Sequence, residues 1–352
     1  MISVRVRFAI AAIILGLPAL CTAAMGQLAP SPDAPPVSSA PAPAPEDESV
    51  ATFKVQVNLV DVFFTVKDKQ GNLLPHLTKD DCTITENKEP QKLKSFVAET
   101  QQPLTLGILL DTSGSQYRVL PLEQDTAGQF LSRVLRQKDE AFALSFDVNV
   151  DLLSDFTNSA RQLSRALNKA EINTAGGGGS GSPGAGGGTV PTIGAGKGTV
   201  LYDAVVIAAN TKLNQESGRK AMILLTDGGD EGSDHKIQDA IAAAQKSNVL
   251  VYVILIADRA FSYGFYGYSG YTTMKRLTEE TGGRLIDVGN DGKKLEAAFQ
   301  QIEDELRTQY VATYTPLDTK LDGTFRHLGV ECKGEGMKVQ VRKGYFATPP
   351  QE

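Results

Sequence analysis

Residues 108–116 read ILLDTSGSQ. They close an apolar run from Leu104 that halts at Asp111 and gives way to small hydroxyl residues and a glycine. A short, unbroken apolar run bounded by turn residues is the pattern of a strand buried on both faces. Ala141 to Phe146, Ala221 to Leu225 and Val249 to Ile256 repeat it. Between these runs, LEQDTAGQFLSRVLRQ, SARQLSRALNKAE, LYDAVVIAANTKLNQ and KIQDAIAAAQKSN place apolar residues at helical spacing. Strand alternating with helix predicts an α/β fold, a doubly wound and mostly parallel sheet with helices on both faces. One edge breaks the rule. In ALSFDVNVDLLSDF two strands are separated only by Asp147-Val148-Asn149, so they pair as an antiparallel hairpin.

The flanks of this region read differently. From Phe53, FKVQVNLVDVFFTVKD alternates apolar and polar residues, and CTITENKEPQKLKSFVAE does so again around a turn at Glu86-Asn87-Lys88. Past the helical region, QYVATYTPLD, FRHLGVECK and MKVQVRKGYFA alternate in the same way. Neither flank alone carries enough strands for a two-layered core, and small isolated sheets are marginal. The expected organisation is therefore a β-rich segment at 51–100 and another at 311–348, pairing as one smaller sandwich-like domain into which the α/β domain, 101–310, is inserted.

The chain has 352 residues and is 41 % hydrophobic, enough for one large core and a smaller one. A formal charge of −6 removes the electrostatic drive toward phosphate backbones, so nucleic acid is not an expected partner. Residues 1–24 read as a signal peptide: Arg5 and Arg7, an apolar core from Phe8 to Leu20, then Cys21-Thr22-Ala23-Ala24 for cleavage. An uncleaved membrane anchor is the alternative, although the core is shorter than the ~20 residues that cross a bilayer. Lipidation at Cys21 is a second alternative, opposed by the bulk of Leu20. Residues 25–50 are a Pro/Ala-rich linker. The reading is an exported protein of the periplasm, cell envelope or medium. If Cys21 leaves with the signal, Cys82 and Cys332 remain as a candidate disulfide. Each follows the alternation of apolar neighbours, Ile84 in one strand and Leu328 and Val330 in the other, and so faces a shared core. Two buried free thiols are the alternative.

In open α/β sheets chemistry gathers at the carboxyl ends of the strands. Asp111 sits at one such end, Asp227 in MILLTDGGDEGS at another, and Thr199 in GKGTVLYDAV precedes a helix starting on the same side. One aspartate after a strand is often only a cap or turn residue. Asp111, Ser113, Ser115, Thr199 and Asp227 together offer oxygen alone, the preference of a hard divalent cation such as Mg²⁺ or Mn²⁺, octahedral at about 2.1 Å for Mg²⁺. Three hydroxyls and two carboxylates leave room for an outside ligand, and a site with few direct carboxylates leaves the ion's charge incompletely neutralised, so it should seek an external carboxylate.

Asp111-Thr112-Ser113-Gly114-Ser115 as D-x-S-x-S, Thr199 in G-x-T-x-L-Y-D-A and Asp227 in T-D-G together resemble the metal-ion-dependent adhesion site (MIDAS) of von Willebrand factor type A (VWA) domains. The resemblance covers about residues 101 to 310. It implies direct metal ligation by Ser113, Ser115 and Thr199, a role for Asp111 and Asp227 largely through waters, and a partner protein's Glu or Asp at the remaining position. The flanking segments and the closing RKGYFA resemble a group of exported bacterial proteins, frequent in acidobacteria, in which β-rich flanks bracket such a domain. Where that pattern usually has an aromatic residue, this chain has Cys82.

Two insertions depart from the family pattern. Residues 175–198, AGGGGSGSPGAGGGTVPTIGAGKG, enlarge the loop before Thr199. From Asp258, DRAFSYGFYGYSGYTT places Tyr263, Phe265, Tyr266, Tyr268 and Tyr271 among Gly and Ser, a composition suited to a partner-binding surface. A self-packed loop is the alternative. An enzyme is not expected. GAGKGT lacks the spacing of a phosphate loop, and DTSG lacks the glycine and second copy of an aspartic protease. No G-x-S-x-G or zinc-type spacing occurs, and the three histidines are scattered, with His235 expected as an exposed helix-start residue. The resulting expectation is a protein-binding module. A structural envelope protein whose metal only stabilises the fold is the alternative, with a metal-dependent hydrolase behind it.

Overall fold

The computed structural model describes residues 58–98, 102–172, 198–256 and 267–349, apart from the side chains of 267–269. The segments read as signal peptide and linker, and all of the Gly-rich insertion but Gly198, lie outside the described residues. Four strands come first: β1 (Val60–Lys67), β2 (Cys82–Glu86), β3 (Glu89–Pro90) and β4 (Leu93–Ala98). The central region follows as β5 (Leu104–Asp111), α1 (Leu120–Val134), β6 (Glu140–Phe146), β7 (Val150–Thr157), α2 (Ala160–Leu167) and α3 (Leu201–Ile207). It continues through β8 (Arg219–Thr226), α4 (Ile237–Lys246), β9 (Val249–Ile256), α5 (Gly267–Thr281), β10 (Leu285–Gly289) and α6 (Gly292–Arg307). The closing strands are β11 (Tyr310–Tyr314), β12 (Phe325–Cys332), β13 (Lys338–Val341) and β14 (Gly344–Phe346).

The central sheet has six strands in the order β10-β9-β8-β5-β6-β7. Every neighbouring pair is parallel except β6 with β7, the expected antiparallel edge. The hairpin turns where Asp147 N donates to the Asn149 carbonyl at 2.9 Å. All eight residues of β5, β8 and β9 are buried, which accounts for their unbroken apolar runs. The two faces are covered by different helices. Leu104, Leu106, Ile108 and Leu110 pack with Phe130 of α1, Leu163 of α2 and Phe299 of α6. Leu109 faces the other way, into a core with Leu201 of α3, Ala240 of α4 and Leu277 of α5. Between them Gly107 leaves room for the Phe142 ring, whose nearest atom would stand 2.6 Å from an added Cβ.

The flanks pair with one another across the chain. One four-stranded sheet runs β13-β1-β11-β4 and another β14-β12-β2-β3. Val62 stands opposite Ala312, and Ile84 opposite Val330. Cys82 and Cys332 occupy one paired position and are joined as a disulfide, 250 residues apart in sequence. The expected turn appears as well, with Asn87 and Lys88 at φ of 49° and 73° between β2 and β3. Phe64, Ile84, Tyr310, Tyr314 and Leu328 are buried in one apolar cluster between the sheets. The described residues form one compact unit.

Candidate metal centre

The topology explains why Asp111 and Asp227 meet. From β5 the chain moves to β6 on one side, and it later returns to place β8 on the other, so β5 and β8 are neighbours whose following loops diverge. The crevice at such a reversal is where open α/β sheets bind ligands. Leu110 pairs with Leu225, so Asp111 and Thr226 come next on adjacent strands. Thr226 Oγ1 donates to Asp111 Oδ2 at 2.6 Å, and the Ser113 amide donates to Oδ1 at 2.9 Å. Asp111 is fully buried, whereas Ser113, Ser115, Thr199 and Asp227 are half-buried.

A short 3-10 turn at Gly114–Gln116 bends the chain back after Ser113 and sets the Ser113 and Ser115 hydroxyls 3.1 Å apart. Asp227 Oδ1 accepts from the Gly229 amide at 3.0 Å. Thr199 is tied to the loop after Asp227 through its backbone, since its carbonyl accepts from the amides of Glu231 and Gly232 at 3.0 and 3.1 Å. Glycines permit that approach: a Cβ on Gly232 would lie 2.1 Å from the Gly198 carbonyl oxygen. Asp230 accepts from the Tyr202 amide at 3.1 Å, and Asp203 accepts from the amides of Asp234 and His235 at 3.0 and 2.9 Å. The start of α3 and the loop following β8 are thus laced together. Asp111, Ser113, Ser115 and Asp227 form one cluster, while Thr199 joins through this loop contact. His235 pairs with Asp203 at 2.7 Å, its side chain 46 % exposed.

Two residues of the site escaped the sequence reading. Glu123 of α1 is fully buried, and its Oε2 has no hydrogen-bond partner. Gln116, also buried, lies between Glu123 and the Asp227 backbone. In the amide orientation that satisfies both neighbours, it donates to Glu123 Oε1 at 3.3 Å and accepts from Asp227 N at 3.2 Å. Burial, and then the charge of Asp227, push the Asp111 carboxyl up to about 7 against the bonds from Ser113 and Thr226. Burial, with the charges of Asp111 and Asp227, raises Glu123 well above the usual carboxylate range.

This crowd of acidic groups is what a divalent cation would offset. Among the described residues no three His, Cys, Asp or Glu side chains converge to hold a metal. A cation at this crevice would therefore need the hydroxyls of Ser113, Ser115 and Thr199 as well as the two aspartates, a donor set that suits a hard ion. The aromatic candidates fare differently. Tyr263, Phe265 and Tyr266 lie outside the described residues, Tyr268 falls within α5 where side chains are not described, and Tyr271 is 39 % exposed on α5. That helix starts beside the crevice: Gly228, at φ of 84°, is packed so closely on Gly270 that an added Cβ would be 3.2 Å from the Gly270 backbone.

No protein-family model matches the chain, and no curated protein matches it. Among solved structures it is similar to the conserved hypothetical protein BatB from Bacteroides thetaiotaomicron, at 16 % identity and a TM-score of 0.41, over 58 % of this chain and 99 % of that one. It is also similar to proximal thread matrix protein 1 from the mussel byssus with a zinc-occupied MIDAS motif, at 14 % identity and a TM-score of 0.46, over 63 % and 50 %. The SpRpn10 VWA domain is similar at 12 % identity and a TM-score of 0.38, over 56 % and 94 %. At these values the functional reading rests on the chain's own residues.

Proposed function

We propose that the chain is an exported, metal-dependent protein-binding module of the von Willebrand factor A type. Asp111, Ser113, Ser115, Thr199 and Asp227 would hold Mg²⁺ or Mn²⁺, and a partner protein's carboxylate would complete its coordination. The observation that carries this reading is the convergence, at the reversal of strand order, of buried Asp111, half-buried Asp227 and the Ser113 and Ser115 hydroxyls 3.1 Å apart. The ion would supply an electrophilic charge, since hydroxyls make up most of its proposed donor set. Thr226 and the Ser113 amide orient Asp111, and Gln116 holds the Asp227 backbone. Catalysis is not part of the proposal.

Export is supported by the bonded Cys82 and Cys332, since disulfides persist in oxidising compartments. Among the described residues no helix is long and apolar enough to cross a membrane. The pairing of strands from both flanks supports a single β-rich domain around an inserted α/β domain. A second reading, an envelope protein whose metal only stabilises the fold, draws on the same crowding of Asp111, Asp227 and buried Glu123. Capture of partners from an envelope extract, with and without chelator, separates the two. The binding reading expects partners that are lost on chelation and on Thr199→Ala while the fold survives. The stabilising reading expects a lower melting point and no such partners.

A further inference from the structure

We propose that the groove between α5, β10 and the outer edge of β13 binds an acidic, extended peptide segment of a partner protein, and does so without metal. This goes beyond the metal-centred reading and does not depend on it. β13 is the outermost strand of its four-stranded sheet, and β10 is the outermost strand of the six-stranded one. The space beside them, walled by α5, measures about 680 Å³.

Its charge runs against that of the chain. The protein carries 41 acidic and 35 basic residues, yet Lys67, Lys275, Arg284, Lys338 and Lys343 all line this groove, with Glu279 on its wall. Beneath them fully buried Glu305 pairs with Lys67 Nζ at 2.8 Å and with Arg284 Nε at 2.7 Å, so one carboxylate is divided between two cations. Lys275 and Glu279 stand 3.9 Å apart, both more than half exposed. Lys338 and Lys343 are exposed and have no ion pair among the described residues. In addition, Lys67 and Lys338 are directly opposite in the β1/β13 register. Like charges at directly opposite positions are destabilising. With Lys67 taken up by Glu305, Lys338 is left as an unneutralised cation in the groove that Arg284 also lines.

The shape selects among anions. Lys67 and Arg284 converge on Glu305, but the two cations without an ion pair are not chain neighbours, Lys338 lying on β13 and Lys343 beyond its end. Even fully extended chain between Lys338 and Lys343 would span no more than ~16 Å at ~3.3 Å per residue, and Lys275 of α5 lines the same groove. Carboxylates on alternate residues of an extended peptide, ~7 Å apart by the same geometry, place more than one anion within that span, so a single peptide can meet both lysines. Exposed Tyr271 of α5, which also lines the groove, offers an aromatic contact of the kind enriched at interfaces.

The test uses the full chain in EDTA at low salt, so that the metal centre contributes nothing, and a fluorescein-labelled peptide of alternating Glu and Ser read by anisotropy. The wild type should bind it, and added salt should weaken binding. Lys338→Glu combined with Lys343→Glu should weaken it by at least about tenfold, whereas Lys138→Glu combined with Lys169→Glu, on exposed sites elsewhere, should change it less than about twofold. Thermal melts confirm that both variants fold, and Lys338→Ala alone, expected to weaken binding by about threefold, serves if the double variant does not. Absence of peptide binding by the folded wild type overturns the proposal, as does equal binding by the Lys338 and Lys343 variants. If phosphatidylglycerol vesicles bind through these lysines while the peptide does not, the groove reads a lipid surface and the peptide assignment falls. Because every arm is metal-free, these outcomes are independent of whether the MIDAS-type site holds an ion.

Discussion

Replacing Arg326 by methionine should cost about 3–5 kcal/mol of stability, because it strands a buried carboxylate. Arg326 of β12 is 1 % exposed and Glu86 of β2 is 3 % exposed, and they pair at 3.1 Å. Tyr314 of β11 and Tyr345 of β14 both donate to Glu86 Oε2, at 2.6 and 2.7 Å. Burial and the adjoining carboxylate push Tyr345 up to about 12, so it stays a donor at neutral pH. Arg326 also donates to the carbonyls of Asp318 and Lys320, whose exposed residues can turn to water when it is lost. Glu86 has no such recourse. The network spans both four-stranded sheets, so its loss should loosen the region built from the two flanks. Urea denaturation followed by circular dichroism, with the disulfide intact, measures the cost. Arg326→Met with Glu86→Gln removes both charges while leaving the glutamine oxygen to accept from the tyrosines. That double variant should recover at least about 1–2 kcal/mol relative to Arg326→Met. A loss below about 1 kcal/mol for Arg326→Met, or simple additivity in the double-mutant cycle, would refute the reasoning.

Reduction of the disulfide, or Cys82→Ala with Cys332→Ala, should lower stability by up to about 5 kcal/mol, the loop-entropy bound for a bridge closing a loop of 250 residues; non-reducing peptide mapping that finds both thiols free would remove the effect. Lys220 is buried, donates to the Glu216 carbonyl at 2.8 Å, and is pushed by burial from 10.5 to about 8. Because its folded pKa is depressed, the unfolded chain binds more protons between those values. Stability should therefore rise with pH from about 8 toward 10.5, by at most roughly 3 kcal/mol, and Lys220→Met should flatten that rise in denaturation series across pH. Gln116→Leu removes the shared partner of Glu123 and Asp227 and should weaken Mg²⁺ binding about tenfold, measured by calorimetry; unchanged affinity would show that Gln116 does not position Asp227.

The residues whose signal is local were legible. Asp111 announces itself because an apolar run stops at it, and Val249–Ile256 has the same bounds in sequence and structure because it is buried throughout. The 147–149 and 87–88 turns were legible because nothing longer fits between their strands. Cys82 and Cys332 were readable as a pair because an exported chain that loses Cys21 keeps only these two, and each shares a face with apolar neighbours. Glu123 was not. On α1 it looks like one more polar residue, and it is buried only because β5 and β8 become neighbours and bring Asp111 and Asp227 toward it. The register of β1 against β11 and β13 was equally hidden, because it joins residues more than 200 positions apart through tertiary packing. The π-helical turn Ala208–Leu213, which extends α3, has no periodicity that separates it from an ordinary helix.

The most direct measurement is isothermal titration of Mg²⁺, and separately Mn²⁺, into the chelator-treated full chain and into Asp111→Ala. The account predicts one binding event in the wild type, a melting point that rises with metal by mass action, and loss of both in the variant. Metal binding that persists unchanged in a folded Asp111→Ala protein, or its absence from the wild type, would contradict the assignment of Asp111, Ser113, Ser115, Thr199 and Asp227 as a cation site.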